Sequence, residues 1–124
     1  MPLNRIACLP SKRPRVRFQD IIRNVEAIER YTRGLDEKRF MANDLVVDAV
    51  ERCLSRISEA AKKLGKQGEA LAPDQPRKKI RGLGNFLRHE YDAIRRNDLW
   101  IIVKEDLASL RTACAKAIAN LDEE

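Results

Sequence analysis

The strongest constraint on this chain is a broad apolar stripe between Asp44 and Leu64. Val46, Val50, Cys53, Ile57, Ala60 and Leu64 recur at spacings of three and four, the period of one helix face. Val47, Leu54 and Ala61 widen that face, so the helix must bury itself against more than one partner helix. Asn43 or Asp44 can cap its start, and Gly65 and Gly68 end it before a loop running to Pro76. Strands are not expected, because aromatic residues are only 5% and β-branched residues rarely alternate with polar ones.

The same period predicts helices on either side. Phe18, Ile21, Ile22, Val25, Ile28 and Thr32 mark a helix over 18–33, with Gly34 as its C-terminal cap. Asp36 can cap a short turn through Phe40 and Met41. A third long helix is expected from about Pro76 to Tyr91 or Ile94. Asn97 or Asp98 would cap a final helical region with a bend near Glu105 and Asp106. Its stripe is Leu99, Val103, Leu107, Leu110, Cys114, Ala117, Ile118 and Leu121. With 124 residues and short connections, the expected fold is one all-α domain, a small up-and-down bundle of four to five helices over 18–124. Residues 1–17 hold three of the five prolines and five bases with no acid, and read as a flexible basic arm. A solvated tail is favoured there over an arm that contacts a nucleic-acid strand.

Chemistry concentrates between Arg77 and Trp100. From Arg77 to Arg96 there are seven bases against two acids, and His89 is the one histidine of the chain. On a helix, Arg81, Asn85 and His89 stack at intervals of four with Arg88 beside His89. Ile80, Leu83, Leu87, Tyr91 and Ile94 take the opposite, core-facing stripe. An imidazole among amide and guanidinium donors suits a phosphodiester, moving protons near neutral pH while its neighbours hold the anion. The plainer alternative is a surface histidine on a solvated helix start. Gly82 and Gly84 would each cost about 1 kcal/mol inside a helix. They do not follow a strand, which excludes a dinucleotide-binding loop. Close approach of another helix is favoured over backbone exposed to a ligand, and Trp100 reads as core rather than as an interface anchor.

A net charge of +6 and a pI near 9.5 favour an acidic partner such as nucleic acid. Cys8, Cys53 and Cys114 are widely spaced, and with one histidine they make no tetrahedral metal set; neither a metal nor another cofactor is expected. Cys53 and Cys114 fall at core-facing positions, and the chain reads as a reduced, cytoplasmic protein. The longest apolar run near Leu99, LWIIV, is far below a membrane span, and Ile6–Leu9 is too short for a signal peptide.

Taken together, Phe86-Leu87-Arg88-His89-Glu90-Tyr91, then Leu99-Trp100-Ile101-Ile102-Val103 and Asp106-Leu107-x-x-Leu110, resemble the HepT-like toxin family of the HEPN superfamily. Gln19-Asp20-Ile21-Ile22 and the run Asp48 to Ala60 are similar to that family's first and second helices. The resemblance extends over 18–121.

The resemblance implies a symmetric homodimer with its active face at the subunit interface. It further implies metal-independent RNA cleavage, in which a ribose 2′-hydroxyl attacks the adjacent phosphorus. The system would be a type VII toxin–antitoxin pair, whose minimal nucleotidyltransferase antitoxin adenylylates the motif tyrosine. In the motif Arg-x-x-x-x-His-x-Tyr, His89 matches the histidine, Tyr91 the tyrosine to be modified, and Asn85 the asparagine that usually follows the arginine. The motif arginine itself is replaced by Gly84. Arg88 or Arg81 are the guanidinium groups that could stand in, and Arg95 and Arg96 add to substrate binding. The expected catalytic set is therefore His89, Arg88 and Asn85. Two other readings stay open: a weak or inactive nucleotide- or RNA-binding partner of a nucleotidyltransferase, and a purely structural helical dimer.

Overall fold

The computed structural model describes residues 13–71 and 96–122. Five helices lie in them: α1 (Pro14–Thr32), α2 (Glu37–Met41), α3 (Asp44–Leu71), α4 (Arg96–Glu105) and α5 (Leu107–Asp122). No strand occurs among the described residues. The expected all-α bundle is the observed architecture. The expected third helix falls on 76–94 and lies outside the described residues.

Helix α1 starts four residues earlier than its apolar stripe indicates. Pro14 occupies the first turn, where its missing N–H would have had no helical partner and its fixed φ is already helical. Arg17 N–H closes the first turn onto the Arg13 carbonyl at 3.4 Å. The boundary of the basic arm therefore moves: residues 14–17 are helical, and Arg15 pairs with Asp122 at the far end of α5. The acid-free run looked like a poor core former, yet it needs no core contact to be helical once proline has set its start.

Three local devices fix the next two elements. Gly34 takes φ 78°, a left-handed conformation that side-chain-bearing residues rarely adopt, and turns the chain after α1. The Asp36 carboxylate accepts from Arg39 N–H at 2.8 Å and caps α2. The Asn43 side-chain oxygen accepts from Val46 N–H at 3.1 Å, which selects Asn43 as the cap of α3. At the far end, Gly65 leaves helical geometry at φ 55°, ψ −140°. Helix resumes beyond it to Leu71, so the expected loop does not begin at Gly65. Asn97 and Asp98 do not precede α4 as caps; they lie in its first turn, where Asp98 sits near the positive end of the helix dipole. The expected bend is present at Asp106, between α4 and α5.

The core is built mainly on α1. Phe18, Ile21, Val25 and Ile28 are fully buried, with Thr32 closing the stripe and its hydroxyl donating to the Ile28 carbonyl at 2.8 Å. Helix α3 brings Val47, Val50, Cys53, Leu54, Ile57, Ala60, Ala61 and Leu64 to the same core and touches α1, α2 and α4, as its width requires. Helix α5 adds Leu107, Leu110, Cys114 and Ala117 against α1. The pair Arg15–Asp122 at one end and Arg111–Glu29, at 2.7 Å, toward the other shows that α5 runs antiparallel to α1. Cys53 and Cys114 are buried and pack as small hydrophobic groups. Trp100 is core, its ring centroid 5.1 Å from that of Phe40.

Replacing the fully buried Ile57 by alanine is expected to lower unfolding free energy by about 2–5 kcal/mol in urea titration. Asp36→Ala, which removes only a cap, should lower it by about 1 kcal/mol. Equal losses in the two variants would contradict this division between core and cap.

Candidate functional site

The candidate segment 77–95 joins Leu71 to Arg96. Its residues Arg81, Asn85, Arg88, His89, Tyr91 and Arg95 lie outside the described residues, as do Gly82 and Gly84. Arg96 is the one expected binding residue whose surroundings are described. One guanidinium nitrogen, Nη1, donates to the Met41 carbonyl at 2.6 Å, and Nη2 meets Asp44 Oδ1 at 2.6 Å. Arg96 thereby ties the first residue of α4 to the junction of α2 and α3, more than fifty residues earlier in the chain. Asp44 is 83% exposed, so solvent screens the ion pair; the bond to the carbonyl supplies the geometric restraint.

Below this tie the Phe40 and Trp100 rings pack at a tilt of 38°, and the Lys104 ammonium stands 4.6 Å from the Trp100 ring centre. Met41, Leu45 and Ile101 remain exposed on the three helices that meet there, Leu45 at 79%. The junction therefore combines a fixed chain end, an aromatic pair beneath it and uncovered apolar side chains.

A second electrostatic feature lies where α1 meets α3. Burial pushes the Cys53 thiol above its ordinary pKa, while Arg56 and Arg30 pull it back. Those two guanidinium groups, one on each helix, thus act on one thiol. Arg23, Arg30, Arg52, Arg56 and Lys63 are all exposed on these helices. The sequence reading passed over this flank because its bases are spread between two helices. The usable signal was their spacing, seven on α1 and four and seven on α3, beside the apolar stripes rather than within a charge run. Among the described residues, no three His, Cys, Asp or Glu side chains gather as a metal site, and no helix is long and apolar enough to cross a membrane.

Known proteins place this geometry in context. A protein of Methanocaldococcus jannaschii named "Putative RNase" is 33% identical to this chain over 74% of it and 84% of the relative. Another of the same name and organism is 28% identical over 93% of this chain and 99% of its own length. A "Probable ribonuclease HepT" of Thermococcus cleftensis is 32% identical over 76% of this chain and 86% of the relative. No solved structure gives a significant match. The sequence profile described as Ribonuclease HepT-like matches residues 21–117, from the first buried turns of α1 to the last core residue of α5, and includes the whole candidate segment. The chain therefore belongs to the Ribonuclease HepT-like family.

Proposed function

We propose that this chain is the metal-independent endoribonuclease toxin of a type VII toxin–antitoxin pair and works as a homodimer in the cytoplasm. The observation that carries the reading is the family match across 21–117, within which Asn85, His89 and Tyr91 fall at the motif spacing. In the proposed reaction the ribose 2′-oxygen forms a bond to the adjacent phosphorus as the bond from phosphorus to the 5′-oxygen breaks. His89 removes the 2′-hydroxyl proton, and an imidazolium returns a proton to the departing 5′-oxygen. Two chains bring two imidazoles to one cleft, so a single histidine per chain provides both roles. Arg88 stabilises the charge gathering on phosphorus, Asn85 orients the phosphate, and Arg81 and Arg95 hold flanking phosphates. Arg96, expected beside them, has its guanidinium on Met41 and Asp44 and acts by holding the first residue of α4 in place.

Exposed Met41, Leu45 and Ile101 support the dimer, since exposed apolar side chains are covered when a second copy docks. The minimal nucleotidyltransferase neutralises the toxin by adenylylating Tyr91, which places bulk and negative charge two residues from His89. Gly84, standing at the motif arginine, favours a second reading in which the chain binds RNA or a nucleotidyltransferase with little catalysis.

Cleavage of a single-stranded RNA in chelator separates the two. His89→Ala is expected to reduce the rate by about 10²–10⁴-fold and Arg88→Ala by about 10²–10³-fold, with folding unchanged by circular dichroism. Equal digestion by wild type and His89→Ala would refute the enzymatic reading; binding with no digestion by wild type would establish the second. Co-expression with the nucleotidyltransferase should add one adenylyl group to the wild type and none to Tyr91→Phe in intact-mass measurement.

A further inference from the structure

The flank where α1 and α3 meet carries cations used by neither the core nor the candidate segment. Arg23 and Arg30 are seven residues apart on α1, and Arg52, Arg56 and Lys63 follow at four and seven on α3. At the helical rise of ~1.5 Å per residue, a spacing of seven sets the cations about 10 Å apart along each bank. Helices α1 and α3 pack along each other, and Arg30 and Arg56, one on each, both act electrostatically on the buried Cys53 thiol of α3. No carboxylate among the described residues pairs with any of the five. Among the described side chains, Glu26, Asp44, Asp48 and Glu59 are the exposed acids of the two helices, against six exposed bases, these five and Lys62.

Two details narrow the partner. Four of the five cations are arginines, whose planar forks take phosphate oxygens in pairs. Tyr31 follows Arg30 and is 43% exposed although it stands on a core-forming helix. A cationic track beside an exposed aromatic ring is the arrangement that holds single-stranded nucleic acid, phosphates on the cations and a base on the ring. An anionic membrane is the competing polyanion; the large apolar side chains exposed on these two helices among the described residues are Val16, Tyr31 and Leu45, of which Tyr31 alone carries a ring that can stack on a base.

We propose that the α1–α3 seam is a docking track for single-stranded RNA, with Arg30 and Arg56 on the phosphodiester backbone and Tyr31 stacking a base. The site lies outside the His89 segment and rests on the ribonuclease reading for its choice of RNA over DNA. Binding of the strand there would raise affinity without taking part in the chemistry.

Fluorescence anisotropy with a labelled single-stranded RNA oligonucleotide tests this in the His89→Ala full chain, so that the strand stays whole. Adding Arg30→Gln and Arg56→Gln should weaken binding at least tenfold and flatten the slope of log affinity against log salt by about 1.4. Tyr31→Ala should weaken it about fivefold or more with the slope unchanged, and Tyr31→Phe should bind as the parent does. Melting temperature monitors the fold. If the arginine pair proves unstable, Arg52→Gln with Lys63→Gln gives the same slope change from the α3 bank. Parental affinity and slope in both double variants would overturn the track, as would loss of phosphatidylserine-vesicle binding with RNA binding kept. Neither result touches the ribonuclease reading, which fails separately if the chain with His89 intact binds the oligonucleotide and leaves it uncut.

Discussion

Burial of α1 between α3 and α5 is the constraint on which the remaining structure depends. The two long flanking helices pack on α1 far more than on each other, so its stripe from Phe18 to Thr32 is the common wall of the core. Burying a side chain of that size contributes about 1.5–3 kcal/mol, and four of them are wholly removed from solvent. The ion pairs Arg15–Asp122 and Arg111–Glu29 set the direction of α5 but lie at partly exposed positions, where such pairs contribute little. Apolar burial holds the bundle; charge sets its register.

That division explains how a surface with 35% charged residues coexists with a well-defined interior. Charges on α1 and α3 stand outside a seam of buried small residues, Ala27, Cys53 and Ala60, and remain available to solvent or to a polyanion. At the other end, Arg96 carries its guanidinium to a main-chain carbonyl rather than outward. That bond fixes the first residue of α4, five residues after Tyr91 in the chain.

Helical periodicity made most of the bundle legible. The stripes on α1 and α3 match the buried positions nearly residue by residue, because an apolar face three to four residues in period has one stable solution in water. Asp36 and Asn43 were readable as caps for the same local reason. Boundaries were less legible where backbone chemistry overrides pattern: Pro14 starts α1 ahead of its first apolar residue, and helix resumes after the left-handed Gly65. Long-range features were not legible. Nothing in the sequence pairs Arg96 with Met41 and Asp44, since that contact follows from how the helices pack. The candidate site was legible as a motif, Asn85, His89 and Tyr91 at fixed intervals with glycine where an arginine is usual.

In the proposed reaction the substrate supplies its own nucleophile, the ribose 2′-hydroxyl, with an imidazole moving the proton. The chemical ends of the cut RNA therefore test the central claim most directly. Mass spectrometry of the products should find a 2′,3′-cyclic phosphate on one fragment and a free 5′-hydroxyl on the other. A strand with 2′-deoxyribose at the cleavage site should stay intact. Fragments ending in 5′-phosphate and 3′-hydroxyl, or cutting of the deoxy-substituted strand, would contradict the account.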